Sequence, residues 1–223
     1  MNTPNTSKAS RTITLFHAPH SRASATVNLL EEIGVPYELR VLNMKAGEQR
    51  QATYLKINPL GKVPALLDGH TLVTEQVAIF IHLADRFPQA GLAPSIDDPR
   101  RGSYLRWLVY YAACFEPAMV DRMLKREPVP RMQSPYDDFD TMLGVIETQL
   151  TTSPYLLGDE LSAADLLWGS ALGLGLAFGG VPRKPVFEEY AGRLGARPAA
   201  QRVAQRDVEL AAAQEAVLSA SNK

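Results

Sequence analysis

The spacing of apolar residues changes character once along this 223-residue chain, close to residue 88. Before it, short apolar runs alternate with one-sided helical stretches. Residues 12–16 form a β-rich run closed by Ala18-Pro19-His20-Ser21. Residues 22–33 set Val27, Leu30 and Ile33 at helical spacing, with Gly34 where a C-terminal cap belongs. Pro36 opens an alternating run over 37–42, so the chain begins β-α-β, the unit that gives parallel strands. After a polar stretch and a helical piece at 52–57, two apolar runs (63–67 and 71–73) flank Asp68-Gly69-His70, a hairpin signal. Residues 75–87 are helical again, with Val77, Phe80, Ile81 and Ala84 on one face. The first 87 residues therefore predict β-α-β-α-β-β-α.

Residues 89–99, with Gly91, Pro94, Asp97, Asp98 and Pro99, have linker composition. Beyond them only helical periodicity remains, over 101–125, 136–151, 163–178, 186–194 and 199–218, and Pro117 is expected to kink or break the first. The predicted organisation is an α/β domain over 11–92 and an all-α domain over 98–220, preceded by a loose polar tail at 1–10. The uncharged stretch 166–181 is short of the roughly 20 residues a membrane span needs. It also holds Gly169, Gly173, Gly175, Gly179 and Gly180, and reads as a buried helix of a soluble domain.

Composition narrows the function without choosing it. At 46% hydrophobic and 21% charged, the chain is expected to be globular, and a net charge of −1 offers nothing to nucleic acid or an anionic membrane. The single cysteine, Cys114, allows no intrachain disulfide and fits a reducing, cytoplasmic setting. The four histidines (His17, His20, His70 and His82) have no cysteine near them, so no metal site is expected. The polar start of the chain lacks the apolar core of a secretory signal.

Three motifs carry chemistry or folding information. In Lys62-Val63-Pro64-Ala65-Leu66 the residue before proline is driven to an extended conformation. Proline itself cannot donate to a ladder, so Val63 is able to keep a free N–H and C=O at a sheet edge. In Thr74-Glu75-Gln76 a helix begins straight after the hairpin. Its free N–H groups and partial positive charge suit a carboxylate, and an acid there can hold an ammonium group. On its own, Glu75 would be no more than a dipole-matched residue. Leu161-Ser162-Ala163-Ala164-Asp165-Leu166, preceded by Gly158-Asp159, is a capping box with a hydrophobic staple.

This element order and these motifs resemble the cytosolic glutathione S-transferase family over about residues 12–207, bacterial beta- and chi-like members in particular. The resemblance implies a thioredoxin-like N-terminal domain followed by a C-terminal helical bundle. It implies that Pro64 is cis and that Val63, flanked by Lys62, pairs with the cysteinyl backbone of glutathione. Glu75 then matches the family's acid, and Gln76 replaces the usual serine. Thiol activation is assigned first to Ser21, because no Tyr or Cys lies between Thr12 and Ile33. Arg22 would add positive potential, and Ser24 lies about one turn on. Ser21 is equally a good N-cap, and His17 and His20 read as surface-loop residues. The aromatic stretch 107–115 offers Tyr110, Tyr111 and Cys114 for an electrophile site, although each also reads as core packing, and Cys114 lacks the setting of a nucleophile.

The implied function is conjugation of the glutathione thiolate to small hydrophobic electrophiles, a detoxifying reaction. Glutathione is the co-substrate, no metal takes part, and the expected assembly is a homodimer. The alternatives are a glutathione or hydrophobic-ligand binding module with little turnover, and a glutathione-dependent peroxidase. A pure assembly module would have no use for Val63, Pro64 and Glu75.

Overall fold

Four short strands form one sheet, and every helix finds its place from that sheet outward. In the computed structural model, which describes residues 12–221, the strands are β1 (Ile13–His17), β2 (Tyr37–Val41), β3 (Ala65–Asp68) and β4 (Thr71–Thr74). Their order is β2-β1-β3-β4, with β2 parallel to β1 and the other neighbours antiparallel. Helix α1 (Ala23–Ile33) makes the crossover between the parallel strands and ends at Gly34, whose φ of 75° lets its N–H reach the Leu30 carbonyl. Helix α2 (Ala52–Leu55) is a single turn, and α3 (Gln76–Arg86) packs on α1. The predicted β-α-β-α-β-β-α order is present, with β1 shifted one residue later than expected. The tail at 1–10 lies outside the described residues.

The second half is helical, and among the described residues no strand follows Thr74 beyond the isolated bridge between Tyr155 and Gly158. Its helices are α4 (Arg101–Tyr110), α5 (Glu116–Met123), α6 (Phe139–Thr152), α7 (Ala163–Ala177), α8 (Pro185–Gly195) and α9 (Pro198–Ser221). Pro117 neither breaks nor sharply ends the first of these. The proline ring lacks an N–H and crowds the carbonyl four residues back. The chain absorbs this as a five-residue π-turn, Tyr111–Phe115, in which the Glu116 N–H bonds to the Tyr111 carbonyl. Helix α6 starts at Phe139, later than its periodicity suggests, because Asp138 caps it by accepting the Thr141 N–H at 2.8 Å.

The capping box of α7 is present. Asp165 accepts from the Ser162 N–H at 2.8 Å and the Ser162 hydroxyl at 2.7 Å. It also takes the Leu156 N–H and the Tyr190 hydroxyl, each at 2.8 Å. Burial pushes this carboxyl up, and the four bonds offset only part of the shift. The apolar stretch behind it is buried as expected, through Leu166, Leu167, Trp168 and Leu172. No helix among the described residues is long and apolar enough to cross a membrane.

One continuous core joins both halves. Trp168 lies at its centre, ringed by Trp107, Tyr110, Tyr111 and Phe115 with ring centroids 5.0–6.1 Å away. Its indole N–H donates to the Trp107 carbonyl at 2.9 Å.

Candidate active site

Strand register brings three segments to one end of the sheet. Phe16 pairs with Ala65, so the loop after β1 runs beside Val63-Pro64. Ala65 also pairs with Thr74, so Glu75 flanks the same proline from the other side. The Val63–Pro64 peptide is cis. The turn before it is held from behind, since the Lys62 carbonyl accepts both the Tyr54 hydroxyl (2.6 Å) and the Asn58 side-chain amide (3.0 Å). Gly61 is required there, because its φ is 60° and a Cβ would lie 2.7 Å from the Gln49 carbonyl oxygen. Burial raises the Tyr54 hydroxyl to about 12, so it stays a proton donor to Lys62.

Glu75 takes φ 65°, ψ 117° immediately before α3. A non-glycine residue held there costs on the order of 1–3 kcal/mol, and such residues cluster at ligand sites. Its side chain is exposed. The first N–H groups of α3 lack intrahelical acceptors and face the same end of the sheet.

The loop from β1 to α1 carries the predicted thiol-activating residues. Ser21 donates its hydroxyl to the Ala18 carbonyl at 2.7 Å and accepts the Ala23 N–H at 3.2 Å; the N-cap position of α1 falls on Arg22, so Ser21, expected as the cap, sits one residue ahead of it. Ser24 donates to Asp207 on α9 at 2.5 Å. The same carboxylate accepts the His20 N–H at 2.9 Å and the His17 Nε2–H at 2.8 Å. His17 is therefore no surface residue. Strand alternation turns it inward with Ile13 and Leu15, and it is fully buried. His20 is exposed as expected, with φ 55°. Burial pushes the Asp207 carboxyl up, but the bonds from His17, Ser24 and His20 outweigh it and hold the group below the usual carboxylate range.

Four side chains then bridge the two halves. The Gln76 Nε2–H donates to the Arg22 carbonyl at 2.6 Å, tying the start of α3 to the start of α1. The Arg22 guanidinium pairs with Glu116 on α5, its Nε at 2.5 Å. The Tyr111 hydroxyl lies 2.6 Å from Glu116 Oε1 and 3.2 Å from Gln76 Oε1. Its one proton favours the shorter, charge-assisted bond to Glu116. Tyr111 is only 4% exposed, and burial together with the Glu116 carboxylate lifts its hydroxyl well above the ordinary tyrosine value. Arg22 loses some charge preference to burial, yet Glu116 more than restores it.

Of the three residues predicted for an electrophile site, only Tyr111 comes within hydrogen-bonding distance of the first half, at Gln76 Oε1. The Tyr110 hydroxyl donates to the Met142 carbonyl at 3.0 Å, and the Cys114 thiol to the Pro135 carbonyl at 3.3 Å, both within the helical half. Burial raises the Cys114 thiol, which keeps it protonated. Sequence reasoning missed Glu116 and Asp207. Glu116 is five residues from Tyr111, and a regular α-helix would set them about 140° apart. Nothing near Asp207 in sequence marks it. No group of three or more His, Cys, Asp or Glu side chains suited to a metal is found among the described residues.

Comparison with known proteins points to one family. The family described as "Glutathione S-transferase, N-terminal domain" matches residues 11–85. Glutathione S-transferase F10 of Arabidopsis thaliana is 32% identical over 166 residues, which is 69% of this chain and 76% of that one. Glutathione S-transferase hmp2 of Hypomyces subiculosus is 32% identical over 167 residues, covering 69% and 78%. Among solved structures, a ternary complex of BphK, a bacterial GST, superposes with a TM-score of 0.74 at 28% identity over 87% of this chain and 98% of that one. A sphingomonad glutathione S-transferase complexed with glutathione gives 0.73 at 27% identity, with the same coverage. A 32% identical relative, covered over three-quarters of its length, places this chain in the glutathione S-transferase family.

Proposed function

We propose that this enzyme binds glutathione across Val63 and the N-terminus of α3 and adds its thiolate to small apolar electrophiles. The observation that carries the reading is the convergence of the β1–α1 loop, Val63-Pro64 and the strained Glu75 at one sheet end. Val63 would pair with the cysteinyl backbone, with Pro64 and Lys62 shaping that edge. The γ-glutamyl carboxylate would meet the free N–H groups of α3, and Glu75 its ammonium group. The thiol would then lie at the start of α1, where the helix terminus lowers its pKa and Ser21 turns its hydroxyl from Ala18 to the sulfur. The charge of Arg22 is spent on Glu116, so Arg22 acts through position. The aromatic stretch beginning at Tyr111, on the helical half, would form the apolar wall for the electrophile. With this go a cytoplasmic homodimer, a detoxifying role and a domain division between residues 92 and 98.

One observation favours the second reading, a binding protein with little turnover. Both candidate hydroxyls already donate elsewhere, Ser21 to Ala18 and Ser24 to Asp207. Ultraviolet absorbance of bound glutathione against pH separates the two. The transferase reading expects a thiol pKa lowered by one unit or more from the free value near 8.5. In Ser21→Ala most of that shift should be lost. Binding with an unshifted thiol would leave only the carrier.

A further inference from the structure

We propose that Gln76 is a positioning residue for the thiol-activating end of α1, and that its side chain is not a ligand for glutathione. The inference rests on the glutathione-binding reading above and changes the role of one residue within it. At this place a side chain is expected to meet the γ-glutamyl group, and Gln76 has the reach to do so. Its amide is committed elsewhere. An amide nitrogen donates only, and the acceptor 2.6 Å away is the Arg22 carbonyl, which fixes the orientation of the whole group. Oε1 is thereby turned to the Tyr111 hydroxyl at 3.2 Å, on the helical half of the molecule.

The carbonyl that Gln76 holds belongs to the residue immediately before α1 and one after Ser21. Arg22 is held a second time through its guanidinium on Glu116, which Tyr111 holds in turn. The start of α1 is thus fixed to α3 by Gln76 and to α5 by Glu116. Two helix N-termini, one for the thiolate and one for the carboxylate, belong to helices that pack on each other, and the Gln76 amide ties their starts directly. The carboxylate is left to the backbone N–H groups of α3, which a substitution at Gln76 does not remove.

The test compares Gln76→Ala and the isosteric Gln76→Glu, which has no donor for the Arg22 carbonyl, with the wild type. Two probes are used, glutathione and cysteinylglycine, the latter lacking the γ-glutamyl group. For each, the dissociation constant, the thiol pKa when bound and kcat with one apolar electrophile are measured. Positioning predicts that glutathione affinity changes less than about threefold in Gln76→Ala. It also predicts a raised bound-thiol pKa and a kcat about tenfold lower with both probes, in both variants, in line with the loss of one hydrogen bond and a small misplacement. A tenfold or greater loss of glutathione affinity, absent for cysteinylglycine, would show a direct ligand and overturn the proposal. So would an unchanged thiol pKa and kcat. If the wild type fails to bind glutathione at all, the underlying reading falls instead, before the variants are compared.

Discussion

Asp207 shows how much one distant residue fixes at the site. It gathers three donors, from the end of β1, the loop after it and the first turn of α1, onto one carboxylate, across up to 190 positions of sequence. Replacing it by alanine would leave these donors without an acceptor, at a cost of about 3 kcal/mol. Thermal unfolding of Asp207→Ala should show a fall on the order of 6–12 °C in Tm. The pH dependence has a definite sign. Because the folded carboxyl titrates below its unfolded value of about 3.9, its contribution is complete above that value. It is then lost as pH falls through the folded pKa. The wild type should therefore lose stability on acidification more steeply than Asp207→Ala, measured by urea midpoints between about pH 3 and pH 6. No local pattern marks a residue whose whole role is a contact with another element, so Asp207 was not legible. The inward turn of His17 was missed because the β-rich run reads as ending at residue 16, one short of the alternation that buries His17. The turn at Val63-Pro64 and the helix starts beside Ser21 and Glu75 were legible, because each is written in adjacent residues.

Helices α7 and α8 show the same division at the level of elements. The α7 capping box and apolar run specify its start and its burial, and both are present in the fold. What periodicity does not convey is how closely α8 approaches. A Cβ on Gly169 would lie 2.2 Å from Leu194 Cδ1, whereas one on Gly144 in α6 would meet nothing within 4 Å. Gly169→Ala should destabilise by about 3 kcal/mol through overpacking. Gly144→Ala should be neutral or stabilise by up to about 1 kcal/mol through helix propensity. Urea unfolding of the pair checks both, and equal midpoints would refute this account of the α7–α8 contact. The strands were legible to within one or two residues at each end. The π-turn was not, because the sequence marks Pro117 as an obstacle and leaves open how the chain passes it.

Across the whole molecule the two halves differ in architecture but share a core, which passes from Leu15 and Phe80 to Trp107 and Trp168. Arg197 adds a bidentate pair to Glu32 at 2.7 Å, and Ala163 donates to the Leu92 carbonyl at 2.7 Å. Calorimetry should show one unfolding transition with equal calorimetric and van't Hoff enthalpies, and two resolved peaks would mean that the halves melt independently. The π-turn reaches as far as any of these contacts. By carrying one residue more than an α-helical turn, it swings Glu116 round to the face of Tyr111. In an alignment with a relative whose helix is regular here, that extra residue reads as a one-position insertion with no loop to absorb it. Homology transferred through this helix without a gap would assign every residue after Phe115 the role of its neighbour.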